Sequence, residues 1–192
     1  MKQIVQKEAP VLRQLAKPVA LGDIAKPKIT TLLKDMREAL SKETDGVGLA
    51  APQLGVSLRI FIVADIVFKI RDDETDMTND TLLKKESTKT VYINPEIIST
   101  SKDKKALEEG CLSVRPLFGK VRRATKVTIR AYDENGKAFE RGASGLLAQI
   151  YQHEVDHLNG VLFIDKAKEV REMALPERAL PENASAEPHH HA

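Results

Sequence analysis

His153, Glu154 and His157 stand together in the segment "QHEVDHLNG", in the pattern H-E-x-x-H. On a helix, residues four apart share a face. The two imidazoles can therefore hold one metal ion, with the glutamate beside them as a proton carrier. A catalytic centre of this type takes three protein ligands and keeps one position open. One extended form of the motif finds its third ligand in a histidine three residues after a glycine. Gly160 is present here, but Phe163 occupies the ligand position and cannot bind a metal. Glu169, Glu172 and Glu177 are formally available downstream, near or within the expected tail. Upstream, Cys111 is the outstanding soft donor, since a thiolate binds a divalent metal well and the metal lowers its pKa.

These side chains need elements to position them. The run "ASGLLAQIYQHEVDHL", from Ala143 to Leu158, carries apolar residues at helical spacing, and Gly160 suits a helix stop. A second amphipathic helix is expected in "KPKITTLLKDMREALSKETDG", where Ile29, Leu32, Leu33, Met36 and Leu40 form a stripe and Gly46 ends the run. Pro10 to Val19 reads as a short helix, and Lys166 to Leu175 as a last one. Leu58 to Ile66 and Thr90 to Ser99 read as strands, the second bent or ended near Pro95. "KVTIRAYD" alternates and leads into an Asn135-Gly136 hairpin turn. "GVGLAAPQLG" (Gly46 to Gly55) reads as a loop, and Lys120 to Arg123 as a solvated strand edge.

The bulk numbers suit one domain, expected over 1–175. A charged surface insertion is expected at about 69–89, and a disordered tail over 176–192 that includes His189, His190 and His191. Of 192 residues, 42% are apolar but only 4% aromatic, without Trp, so the core must be mostly aliphatic. A net charge of +2, with 30% of residues charged, gives no mandate for nucleic acid. The opening "MKQIVQKEAP" has no apolar signal-peptide core, and no stretch reaches the roughly 18 apolar residues of a membrane span. One cysteine excludes an intramolecular disulfide and fits a reducing cytosol.

"GVGLAAPQ", "EGCLS" and "QHEVDH", in that order, closely resemble the peptide deformylase family from about "VLRQLAKPV" to "LFIDKA". The resemblance implies an α+β fold, with antiparallel β-sheets wrapped around a central metal-binding helix. It implies metal ligands Cys111, His153 and His157. The implied ion is ferrous iron, with zinc, nickel or cobalt as substitutes. The implied reaction removes the formyl group from the N-terminal formyl-methionine of new polypeptides and releases formate. Glu154 is then the proton carrier, and the Gln53 side-chain amide and Leu112 backbone N–H stabilise the oxyanion. Val47 and Gly48 belong to the segment that pairs with the substrate backbone, and Val47, Leu146 and Ile150 are candidates for the methionine pocket. The setting is a monomer in the cytoplasm acting on nascent chains, with ribosome docking through the variable C-terminal end as a further expectation. A metalloprotease and a non-catalytic formyl-peptide binder are the rival readings; the intact set of Gln53, Cys111, His153, Glu154 and His157 argues against the second.

Overall fold

The computed structural model of the chain describes residues 3–68 and 90–173. The expected insertion at 69–89, the tail over 176–192 and its histidine tract lie outside the described residues.

The framework is a five-stranded antiparallel sheet, with strands β1 (Gly48–Ala50), β2 (Ile60–Val63), β3 (Val91–Thr100), β6 (Lys126–Tyr132) and β7 (Ala138–Ser144) in the order β1-β2-β3-β6-β7. A second, three-stranded sheet holds β4 (Lys104–Gly110), β5 (Leu117–Ala124) and β8 (Lys168–Glu172) in the order β4-β5-β8. Helix α1 spans Pro27–Ser41 and helix α2 spans Gly145–Leu158.

The larger sheet is covered on both faces, which accounts for the unbroken apolar run of β2. Phe61 and Val63 point into the core shared with α2, beside Leu147, Ile150, Tyr151 and Leu158. Ile60 and Ile62 point the other way, into the core shared with the stripe Ile29, Leu32, Leu33, Met36 and Leu40 of α1. The three-stranded sheet builds a third cluster, in which Cys111, Val114 and Val121 meet Leu12, Leu162 and Phe163.

Several elements differ from the sequence expectation. Pro10–Arg13 is a single 3-10 turn. Helix α1 stops at Ser41, and residues 42–47 lead into β1. The "GVGLAAPQLG" segment is not all loop. Gly48–Ala50 pairs with β2, and Ala51–Leu54 forms a 3-10 turn closed by Gly55 at φ 77°. Strand β3 does not end at Pro95 but bends there, one of the two outcomes expected: Asn94 takes φ 50°, its side chain bonds both ways to the Val19 backbone, and the register shifts. Residues 168–172 form a strand rather than a helix, recruited by β5. Because β8 covers the far side of β5, Lys120 to Arg123 lie in the middle strand of their sheet and not at an edge. The Asn135-Gly136 hairpin and the Gly160 helix stop are as expected, with φ 77° and 74° at the two glycines.

Candidate active site

Helix α2 buries one stripe in the core and turns the other toward a cleft of about 370 Å³. That second stripe carries Leu146, Gln149, Ile150, His153 and Glu154. The opposite wall comes from the end of β4 and the turn after it, with Glu109, Cys111 and Leu112. Val47, Gly48 and Gln53 close a third side. All the residues that the sequence assigned to catalysis and substrate binding therefore line one cleft, and His157 lies one helical turn beneath His153.

The donor atoms of Cys111, His153 and His157 all lie within 4.8 Å of one another. Cys111 Sγ is 3.2 Å from His157 Nε2. His153 donates from Nδ1 to Glu109 Oε2 at 3.0 Å, which turns its other ring nitrogen toward the group. Burial, with the charge of His153 beside it, holds the pKa of His157 well below its ordinary value and so keeps the ring neutral, as a ligand must be. Its Nδ1 is buried and has no hydrogen-bond partner among the described residues. The sulfur accepts from Ser113 N–H at 3.4 Å and from Gln53 Nε2 at 3.6 Å. A soft sulfur and two imidazoles converging on one point fit a divalent transition metal.

Glu154 is 4% exposed, and its Oε2 has no partner among the described residues. Burial pushes its pKa up to about 7, within reach of both protonation states at neutral pH. Gly48 lies directly against this carboxylate; a β-carbon there comes within 2.5 Å of Glu154 Oε1. The glycine thus leaves room for the Glu154 carboxylate where β1 approaches α2.

Gln53 is fixed at both ends of its amide. Oε1 accepts from Ala50 N–H at 2.8 Å, and Nε2 donates to Ser113 Oγ at 3.2 Å. This settles the amide orientation and places its N–H groups beside the sulfur.

Sequence reasoning missed the support behind His153. Arg123 binds Glu109 through two hydrogen bonds of 2.7 and 2.8 Å and reaches Asp156 at 2.6 Å; Lys166 holds the other oxygen of Asp156. Burial raises the pKa of Glu109, but hydrogen bonds from Arg123 and His153 outweigh it and bring the carboxyl down to about 2. The ion pair is almost fully enclosed, with side-chain exposures of 4% and 3%. A signal was present: strand alternation places Arg123 on the same inward face as Val121, and an inward charge in a strand needs a partner.

Comparison with known proteins bears directly on this arrangement. The family model for polypeptide deformylase matches residues 1–173. The chain belongs to the polypeptide deformylase family. It is 45% identical over 163 residues to the peptide deformylase of Halothermothrix orenii, covering 85% of this chain and 91% of that one. It is 40% identical over 171 residues to that of Pseudothermotoga lettingae, covering 89% and 85%. Among solved structures, the Thermotoga maritima peptide deformylase superposes with a TM-score of 0.70 at 32% identity, covering 88% of this chain and 98% of that one. The Synechococcus elongatus peptide deformylase, solved in complex with actinonin, gives 0.71 at 31% identity, covering 88% and 79%. An Acinetobacter baumannii peptide deformylase bound to Met-Ala-Ser gives 0.70 at 32% identity, covering 85% and 96%. As a peptide deformylase, the chain is a metal-dependent hydrolase that removes the N-formyl group from new polypeptides. Among the described residues no helix is long and apolar enough to cross a membrane.

Proposed function

We propose that Cys111, His153 and His157 hold the metal of this deformylase and that Glu154 is its proton carrier. The observation that carries this reading is the buried carboxylate of Glu154, with one oxygen unpartnered among the described residues, beside the convergent sulfur and imidazole donors. When bound, a divalent ion there supplies Lewis acidity that makes water a nucleophile at neutral pH. Glu154 takes the proton from the attacking water and delivers it to the departing amine as the formyl C–N bond breaks. The products are formate and a free amino terminus.

Negative charge develops on the formyl oxygen during attack. Gln53 Nε2 and the Leu112 backbone N–H are the donors assigned to it, each the kind of group whose loss costs roughly 10²–10³ in rate. The rigid cap on Gln53 supports that role, because a preorganised donor needs no rearrangement in the transition state.

Among the described residues strand β1 pairs with β2 along one edge only, which supports the other edge as the place where a substrate main chain adds. Val47 and Gly48 lie at the start of that edge. Buried Ile150, half-buried Val47 and exposed Leu146 make an apolar wall suited to a methionine side chain. The Met-Ala-Ser ligand of the Acinetobacter baumannii relative supports the same substrate class here.

The family resemblance supports ferrous iron as the metal, with zinc, nickel and cobalt as replacements; a Cys-His-His set accommodates each. A reduced Cys111 as ligand suits the cytoplasm, with one domain over 1–175 acting as a monomer. The test is formate release from formyl-Met-Ala-Ser by anaerobic, iron-loaded protein beside Glu154→Ala. Activity in the parent and its loss in the variant, with one metal retained by each, is the expected result. Equal activity in both removes Glu154 from the mechanism.

A further inference from the structure

At the cleft mouth, Arg115 joins two segments that approach from different sheets. Its Nη1 donates to Glu43 Oε2 at 2.7 Å, and its Nη2 donates to Asp45. Both carboxylates belong to residues 42–47, the connection that delivers Val47 and Gly48 to the cleft. Arg115 itself lies in the turn that presents Cys111 and Leu112. The same two segments also touch through apolar atoms, since a β-carbon on Gly46 would sit 3.5 Å from Leu112 Cδ1.

Each of these ion pairs alone is partly solvated: Arg115 is 29% exposed, Glu43 21% and Asp45 50%. The arrangement counts through geometry, because one planar guanidinium with two carboxylates fixes direction as well as distance. It spans the gap between the wall bearing the Leu112 N–H and the wall bearing the β1 edge. A peptide bound by both walls needs that spacing to be set before it arrives.

We propose that Arg115 is a positioning residue that clasps the 42–47 connection to the Cys111 turn and so sets the width of the substrate cleft. This rests on the reading of Leu112 and the β1 edge as the substrate-facing walls. Substrate affinity, rather than the chemical step, depends on the clasp. Without it the two walls separate, and a smaller fraction of molecules offers the binding-competent spacing.

Steady-state kinetics on iron-loaded protein with formyl-Met-Ala-Ser amide tests this, using Arg115→Ala, Arg115→Lys, the double variant Glu43→Gln with Asp45→Asn, and their combination. Arg115→Ala is expected to raise KM about five- to tenfold with kcat within about twofold of the parent and metal content unchanged. Arg115→Lys should recover part of the loss. The carboxylate double variant should reproduce the KM rise, and adding Arg115→Ala to it should change nothing more. Hydrogen exchange adds a readout independent of turnover: amides in 42–47 and 111–116 should exchange faster together in each variant. Unchanged KM or unchanged exchange in Arg115→Ala overturns the clasp. So does a large effect of Arg115→Ala with none from the carboxylate variant, which would make Arg115 a direct substrate contact. A parent without formate release overturns the assigned function, and the exchange measurement still decides whether the clasp exists.

Discussion

Gly48→Ala is the smallest change that tests the packing of Glu154, the proposed proton carrier. The added β-carbon comes to 2.5 Å from Glu154 Oε1, 3.1 Å from Glu154 Cδ and 3.2 Å from Ile150 Cγ2. The first distance is far inside ordinary contact, so the carboxylate must retreat by about 1 Å. The backbone is not at issue, because Gly48 is not among the residues with positive φ. Glu154 is the far end of a side chain and can rotate, so the fold survives and the geometry does not. A misplacement of about 1 Å in a catalytic group costs on the order of 10²-fold, or roughly 2.7 kcal/mol of barrier. The assay is kcat for formate release at saturating formyl-Met-Ala-Ser, with metal content and thermal midpoint measured on the same preparation. A kcat about a hundredfold lower, at full metal loading and a nearly unchanged midpoint, is the expected result. A kcat within twofold of the parent refutes the reasoning, since the carboxylate would then tolerate displacement or play no part in the rate-limiting step.

Glu154→Gln keeps the shape but removes the proposed proton carrier, and kcat should fall by about 10²–10⁴ with metal binding retained, as read by formate release and metal analysis. Cys111→Ala should abolish stoichiometric metal binding, measured by metal analysis after gel filtration; full loading would reassign the third ligand. Arg123→Met strands the buried Glu109 carboxylate and should destabilise the fold by about 3–5 kcal/mol in denaturant unfolding. Chelation should abolish formate release and ferrous iron restore it, and iron-loaded protein should lose activity faster in air than under argon.

The legibility of this chain follows the range of the interactions involved. The stripe of α1 and the apolar face of α2 are set by residues a few positions apart, so periodicity identifies both helices. The H-E-x-x-H pair is local as well. Cys111 is local to nothing: the turn after β4 meets α2 only in the folded protein, and the cysteine was connected to the histidines through its motif context. Strand β8 is not legible in the sequence because all of its residues are exposed, leaving no apolar alternation to detect. Its structure is supplied by pairing with β5 across the chain. The buried place of Arg123 is hidden in the sequence for a related reason. A basic cluster suggests solvent until the strand is known to be central and the acidic partners Glu109 and Asp156 are placed behind it.

The proposed ligands come from separate parts of the architecture: one from the turn leaving the three-stranded sheet, two from the helix packed on the five-stranded sheet. Cys111 and His157 are 46 positions apart. Joining them through one ion closes a loop of that length, a cross-link whose entropic effect on the unfolded chain is roughly 3–4 kcal/mol. With its metal bound, the proposed centre would therefore also act as a rivet between the two halves of the fold. A chain still being synthesised has no complete cradle until α2 has emerged and docked, so metal capture reports finished tertiary assembly. An ion held by these three proposed ligands would make the appearance of activity coincide with the completion of the fold.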